Sequence, residues 1–119
     1  MEDYSDDALA LEFAARCART ICFHDGQWLV WDPQAVARGA MHKDGPTVRG
    51  DWRPDDTMKV LRMIRDACRK VAADTDPKLR SRILSFSKLR AVERMARADL
   101  SLNEMELFRR TRELRSAVP

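Results

Sequence analysis

Thr20-Ile-Cys-Phe-His-Asp-Gly-Gln-Trp-Leu-Val-Trp-Asp32 decides the architecture of this chain. β-Branched and aromatic residues flank Asp25-Gly26, and Asp-Gly between two such runs is a strong signal for a tight hairpin turn. Thr20 to Phe23 reads as one strand and Gln27 to Trp31 as the next. Side chains alternate along a strand, so Trp28 and Val30 fall on one face and Leu29 and Trp31 on the other. Bulky residues on both faces mean that both faces need cover. A two-stranded hairpin is marginal in water by itself, so the flanking segments must pack on it. The Trp side chains then organise the fold. The competing use of strand aromatics, as a platform for stacked bases, calls for basic residues interleaved on the same strands. None occurs between Thr20 and Trp31.

The flanking segments read as helices. Ser5 is a plausible cap, with Asp6 and Asp7 in the first turn, where carboxylates oppose the positive helix end. Leu9, Phe13 and Cys17 recur four apart with Ala10 and Ala14 beside them, which predicts a helix to about Arg19. Residues 33–54 read as an irregular connection. Pro33, Gly39, Gly45, Pro46, Gly50 and Pro54 are scattered through it, and His42 and Lys43 sit at its expected tip. Connections of that length are functional or mobile. Trp52, near the end, is placed to return as a third short strand.

A helix capped by Asp55 or Asp56 follows, with Val60, Leu61, Ile64, Ala67, Cys68 and Val71 on its apolar face. Arg62, Arg65 and Arg69 line up on the opposite side. Asp76-Pro77 opens the next helix, Asp as cap and Pro at the first helical position. Leu79, Ile83 and Phe86 form its stripe. The register then changes to Leu89, Val92 and Met95 or Ala96, which predicts a break near residues 85–87 with Ser87 as cap. Arg90, Arg94 and Arg97 share one face there. Ser101 and Glu104 have capping-box spacing and open a terminal helix to about Arg115, with Met105 and Phe108 expected to be buried. The fold class is therefore mainly α, four to five helices with one small β-hairpin, or three short strands, inserted after the first helix.

Composition bounds the rest. The 119 residues suffice for one domain with one modest core, and 45% of them are hydrophobic, enough to fold. The apolar runs are too short for a membrane span, and the opening "MEDYSDDALALEF" is acidic where a signal peptide would be basic. A soluble cytoplasmic protein is expected. Cys17, Cys22 and Cys68 are odd in number and lack a second close ligand pair, so free structural thiols are expected rather than zinc or a disulfide. The net charge of +3 is unevenly spread: residues 1–57 carry 11 acids against 6 bases, residues 58–119 carry 8 acids against 16 bases. A basic half suits nucleic acid, though solvated helix faces have the same composition.

No catalytic constellation is present. The phosphate loop, the dinucleotide fingerprint and the nucleophile elbow are all missing. His24 and His42 have no partner at triad spacing. The pairs Asp6-Asp7 and Asp55-Asp56 sit where helix caps are expected, and adjacent helical residues do not face one way. No catalytic residue, metal ligand or cofactor is assigned. Arg62, Arg65, Arg69, Arg90, Arg94 and Arg97 remain as candidate phosphate contacts, which give affinity without reading sequence.

Together these pieces resemble the helical N-terminal domain that precedes the superfamily 3 helicase motor in phage and plasmid primase–helicases, shared with the poxvirus primase–helicase. "SDDALALEFAAR" is similar to that family's opening helix and "GQWLVWD" to its aromatic hairpin. Trp52 with "RPDDT" and the basic helix after it resembles the segment that follows, and "AVERMARAD" the late helix. The likeness spans roughly residues 4–100, with a single domain over 1–119. Two features depart from it. Residues 33–51 look like an insertion, and beyond Asp99 the segment "LSLNEMELFRRTRELRSAVP" is a divergent terminal helix in place of the family's continuation. A truncated or remodelled relative and a free-standing domain both fit. The resemblance implies a non-catalytic connector in DNA replication, with DNA (single-stranded or forked) and a replicative helicase or primase as partners. Neither a membrane nor a small-molecule substrate is implied. The alternative is a small helical regulator of a mobile element, docking through residues 101–115 without DNA binding of its own.

Overall fold

Ser5 and two acids start the first helix as expected. The Ser5 hydroxyl accepts the Ala8 N–H at 3.1 Å, and α1 runs Asp6–Cys17, burying Leu9, Ala10 and Phe13. The computed structural model describes residues 4–36 and 48–117. After α1 come β1 (Ile21–His24), β2 (Gln27–Val36), β3 (Arg49–Pro54), α2 (Lys59–Ala72), α3 (Pro77–Ile83), α4 (Phe86–Asp99) and α5 (Glu104–Ser116). The mainly α class with a small sheet is observed: the described residues form five helices and a three-stranded antiparallel sheet in the order β1-β2-β3.

The hairpin turn has both central residues at positive φ, Asp25 at 51° and Gly26 at 78°. That twist matches the right-handed twist of the strands it joins. Register pairs Phe23 with Trp28 and Ile21 with Val30. Both ends of the expected loop over 33–54 are strand. β2 continues through Pro33 to Val36, and β3 returns so that Trp31 faces Trp52 and Val36 faces Arg49. Pro33 is tolerated because the register slips between Asp32 and Val36, where a missing N–H costs no ladder bond. The Asp32 carboxylate accepts the Gln34 N–H at 2.9 Å and Arg53 Nε at 2.7 Å. The Gln34 N–H first, then Arg53, holds this carboxyl below its ordinary range. His42 and Lys43, with the rest of 37–47, lie outside the described residues.

Both sheet faces are covered, as the two-sided hairpin requires. On one side Ile21 belongs to the main core, with Trp28 and Val30 packed on it; α1, α2 and α4 supply Phe13, Val60, Ile64, Val92 and Ala96. Burying each of the larger of these side chains, Ala96 apart, contributes about 1.5–3 kcal/mol. On the other side lies α5. Trp52 Nε1 donates to Thr111 Oγ1 at 2.9 Å, Arg115 Nε donates to the Gly50 carbonyl at 3.0 Å, and the Arg110 guanidinium reaches the Ala18 carbonyl.

Several helix details differ from expectation or decide between its alternatives. α1 stops at Cys17, two residues short of Arg19. Met58 takes the N-cap position of α2 without a side-chain cap, and Asp55, one of the two acids expected to cap, serves the helix start from three residues upstream, its carboxylate accepting the Lys59 and Val60 N–H groups at 2.9 Å each. Ser85, not Ser87, caps α4 by accepting the Lys88 N–H at 3.2 Å. Phe86 thereby becomes the first helical residue and turns outward, 67% exposed, instead of completing the α3 stripe. Ala96 is buried in place of Met95. The final capping box is Asn103–Glu106, not Ser101–Glu104. Ser101 cannot cap because the chain there runs extended beside β1: the Phe23 N–H donates to the Leu100 carbonyl at 2.9 Å, and the Leu102 N–H donates to the Phe23 carbonyl at 3.0 Å. In consequence α5 buries Leu114 and half-buries Leu107 and Thr111, leaving Met105 and Phe108 75% and 65% exposed.

Candidate nucleic-acid interface

The three tryptophans are committed to the fold. The Trp28 ring packs edge-on against Phe23 with centroids 5.2 Å apart, and its Nε1 donates to Glu93 Oε1 at 3.1 Å. Trp31 and Trp52 form a second edge-to-face pair at 5.3 Å on the α5 side. Such pairs add about 0.5–1.5 kcal/mol beyond the area they bury. All three indoles are half-buried.

The six arginines do not form one face. Arg62 and Arg65 line a groove of about 440 Å³ between α2 and α4, together with Met58, Leu61, Phe86 and Leu89. Arg90, four residues after Phe86 on α4, stands at the edge of the groove, its guanidinium 5.9 Å from the Phe86 ring centroid. Arg94 is exposed one turn further along α4. Arg69, also exposed, stands 3.8 Å from Asp66, the one acid within α2. The fold therefore brings Arg62 and Arg65 into the groove, holds Arg90 against the Phe86 ring at its edge, and leaves Arg69 and Arg94 out of the lining.

Arg97 is different. It makes a two-pronged contact with Glu93, Nε at 3.1 Å to both carboxylate oxygens and one terminal nitrogen at 2.8 Å. Its guanidinium also lies 5.3 Å from the Phe23 ring centroid. Glu93 is 6% exposed, so this arginine neutralises a buried carboxylate. A phosphate would have to compete with that pair.

Phe86, Met58 and Glu93 are missing from the sequence reading of the site. The signal for Phe86 was present: with Ser85 as cap, Phe86 is a first-turn residue with no obligation to face the core. Glu93 lies four residues before Arg97, the spacing of a helical ion pair, but only the approach of Trp28 makes it buried.

The thiols fit a structural role. Burial pushes Cys22 and Cys68 up to about 11, against smaller opposing effects from Arg110 and Lys88 respectively. A thiol held in that form is a small hydrophobe rather than a nucleophile. Among the described residues no three His, Cys, Asp or Glu side chains gather as a metal site, and no helix is long and apolar enough to cross a membrane.

Fold and groove together define a helical domain with a small, doubly covered sheet and an arginine-lined cleft between two helices. Comparison with protein-family models, curated proteins and solved structures finds no match for this chain.

Proposed function

We propose that this chain is a non-catalytic accessory domain of a phage- or plasmid-type primase–helicase system, working on cytoplasmic DNA and contacting it through α2 and α4. One observation carries the reading. Two helices that each present basic residues outward meet so that Arg62 and Arg65 line a groove and Arg90 stands over the Phe86 ring at its edge, with Arg69 and Arg94 exposed on the same two helices. Guanidinium groups at such a site release counterions from a phosphate backbone, which gives affinity that falls steeply with salt. The resemblance of the hairpin and first helices to the primase–helicase N-terminal domain supplies the replication setting. A helicase or primase protein is the expected neighbour.

The test is anisotropy of labelled single-stranded, duplex and forked DNA across a salt series. The variant Arg62→Glu/Arg65→Glu/Arg94→Glu is expected to bind at least about tenfold more weakly. Its log–log salt slope should be shallower by about 0.7–0.9 per lost contact. Unchanged affinity and slope would remove α2 and α4 from any DNA interface.

The exposure of Met105 and Phe108 favours a second reading, a docking helix. Arg109 and Arg112 flank these two side chains with Glu104 at one end, and the Arg112 guanidinium lies 6.0 Å from the Phe108 ring centroid. An apolar pair rimmed by guanidinium groups suits an acidic amphipathic helix. Deleting residues 101–119 would not isolate this role, because α5 also covers Trp52 and Gly50. Met105→Glu/Phe108→Glu keeps the covering face. It is expected to leave stability within about 0.5 kcal/mol while abolishing pull-down of a helicase partner. Retained pull-down would exclude α5.

A further inference from the structure

Phe86 is an unusual residue to leave exposed at the mouth of an arginine-lined groove. Arg90 stands over one side of the ring, 5.9 Å from its centroid, yet 67% of the residue remains open to solvent. Leu61 and Leu89 form an apolar floor, and Met58, 55% exposed, supplies another wall. Met58 sits at φ 58°, a left-handed conformation that is unfavourable for a residue with a Cβ. Backbone held that way concentrates at binding sites. Arg65 Nε is buried without a hydrogen-bond partner and lies 4.0 Å from Asp66 Oδ1.

A flat apolar ring, an apolar floor and guanidinium groups around them are what an unpaired nucleotide needs. Its base offers a π-face to stack, and its phosphate offers oxygens to the arginines. A duplex presents the same phosphates but keeps its base faces stacked inside. We infer that the groove between α2 and α4 takes an unpaired DNA strand, with one base stacked on Phe86 and the neighbouring phosphates held by Arg62, Arg65 and Arg90. This rests on the DNA-contact reading above and narrows it to single strands.

The test compares an oligodeoxythymidine, an abasic strand of the same length and a duplex, using the full chain. Wild type is expected to bind the thymidine strand about tenfold more tightly than the abasic one, as stacking of one base provides. Phe86→Ala should erase that difference with the salt slope unchanged, and Phe86→Trp should restore it. Because Phe86 is exposed, both variants should keep the wild-type circular dichroism and melting curve. If Phe86→Ala leaves the preference for bases intact, the stacking site is overturned. The DNA-contact reading survives that result when Arg62→Glu/Arg65→Glu/Arg94→Glu still loses binding to every strand. If that triple variant binds as wild type, the underlying reading fails as well. Displacement of the strand by a polyglutamate peptide as effectively as by unlabelled oligodeoxythymidine would assign the groove to an acidic protein segment and overturn the proposal.

Discussion

Arg97→Met is expected to cost about 3–5 kcal/mol of folding stability, the range for stranding a buried charge by removing its partner. Glu93 is 6% exposed, and its carboxylate receives Arg97 from one direction and Trp28 Nε1 from another. Without the guanidinium the carboxylate would be buried with a single neutral donor. Half of the Arg97 side chain faces solvent, which lets water replace part of the lost contact and places the expectation near the lower end of the range. Urea denaturation of the single variant and of Glu93→Gln/Arg97→Met checks this. The neutral amide can still accept from Trp28, so the double variant should recover most of the loss. Arg94, one turn away and exposed, serves as the control, with Arg94→Met expected within about 0.5 kcal/mol of wild type. A loss below 1 kcal/mol for Arg97→Met would mean that the Glu93–Arg97 pair does not stabilise the sheet–helix junction. It would also return Arg97 to the pool of arginines free to meet phosphate.

Gly50→Ala is the second large effect, expected at about 2–4 kcal/mol from backbone strain and overpacking together. Gly50 sits at φ 100°, and a Cβ there would lie 2.5 Å from Trp31 Cζ2 and 3.1 Å from Trp31 Cη2. The indole cannot retreat freely, because it packs edge-to-face on Trp52, which is tied to α5 through Thr111. The Gly50 carbonyl is held too, accepting from Arg115 Nε at 3.0 Å. Gly26→Ala separates the two causes. Gly26 also has positive φ, at 78°, but nothing lies within 4 Å of its would-be Cβ, so only strain of about 1 kcal/mol is expected. Thermal melts of both variants, with near-ultraviolet circular dichroism to follow the tryptophans, measure the difference. Equal losses at the two positions would show that Trp31 moves aside without cost.

These two sites also show where sequence stops being informative. Gly50 was legible only as a loop marker, since a glycine in sequence carries no record of its φ or of the ring beside it. Local signals fared better. Asp25-Gly26 dictated its turn because two positive φ values are a local demand. Ser5 and Asp76 cap their helices, and Asp55 serves the first N–H groups of α2, because a side-chain oxygen near a helix start meets an unsatisfied N–H wherever the rest of the chain lies. The stripes of α1 and α2 follow from periodicity, which states which residues share a face.

Periodicity does not state what will cover that face. In α5 the Met105–Phe108 pair and the Leu107–Thr111–Leu114 line both have helical spacing. The docking of residues 100–102 beside β1 sets the helix rotation that buries the second and exposes the first. The arginines follow the same rule. Their spacing showed that 62, 65 and 69 share one helix face and that 90, 94 and 97 share another. Arg90 meets Phe86 within α4 at helical spacing, but only packing of α2 against α4 brought Arg62 and Arg65 beside that ring, and only the approach of Trp28 buried Glu93 and claimed Arg97. The sequence by itself determined the helices, the turn, the need to cover both sides of the hairpin and the excess of positive charge in the second half. Those properties depend on neighbours within a few residues or on counting. Tertiary structure decided which apolar residues stay outside and which arginine is consumed internally, because burial and charge pairing depend on segments that are distant in the chain.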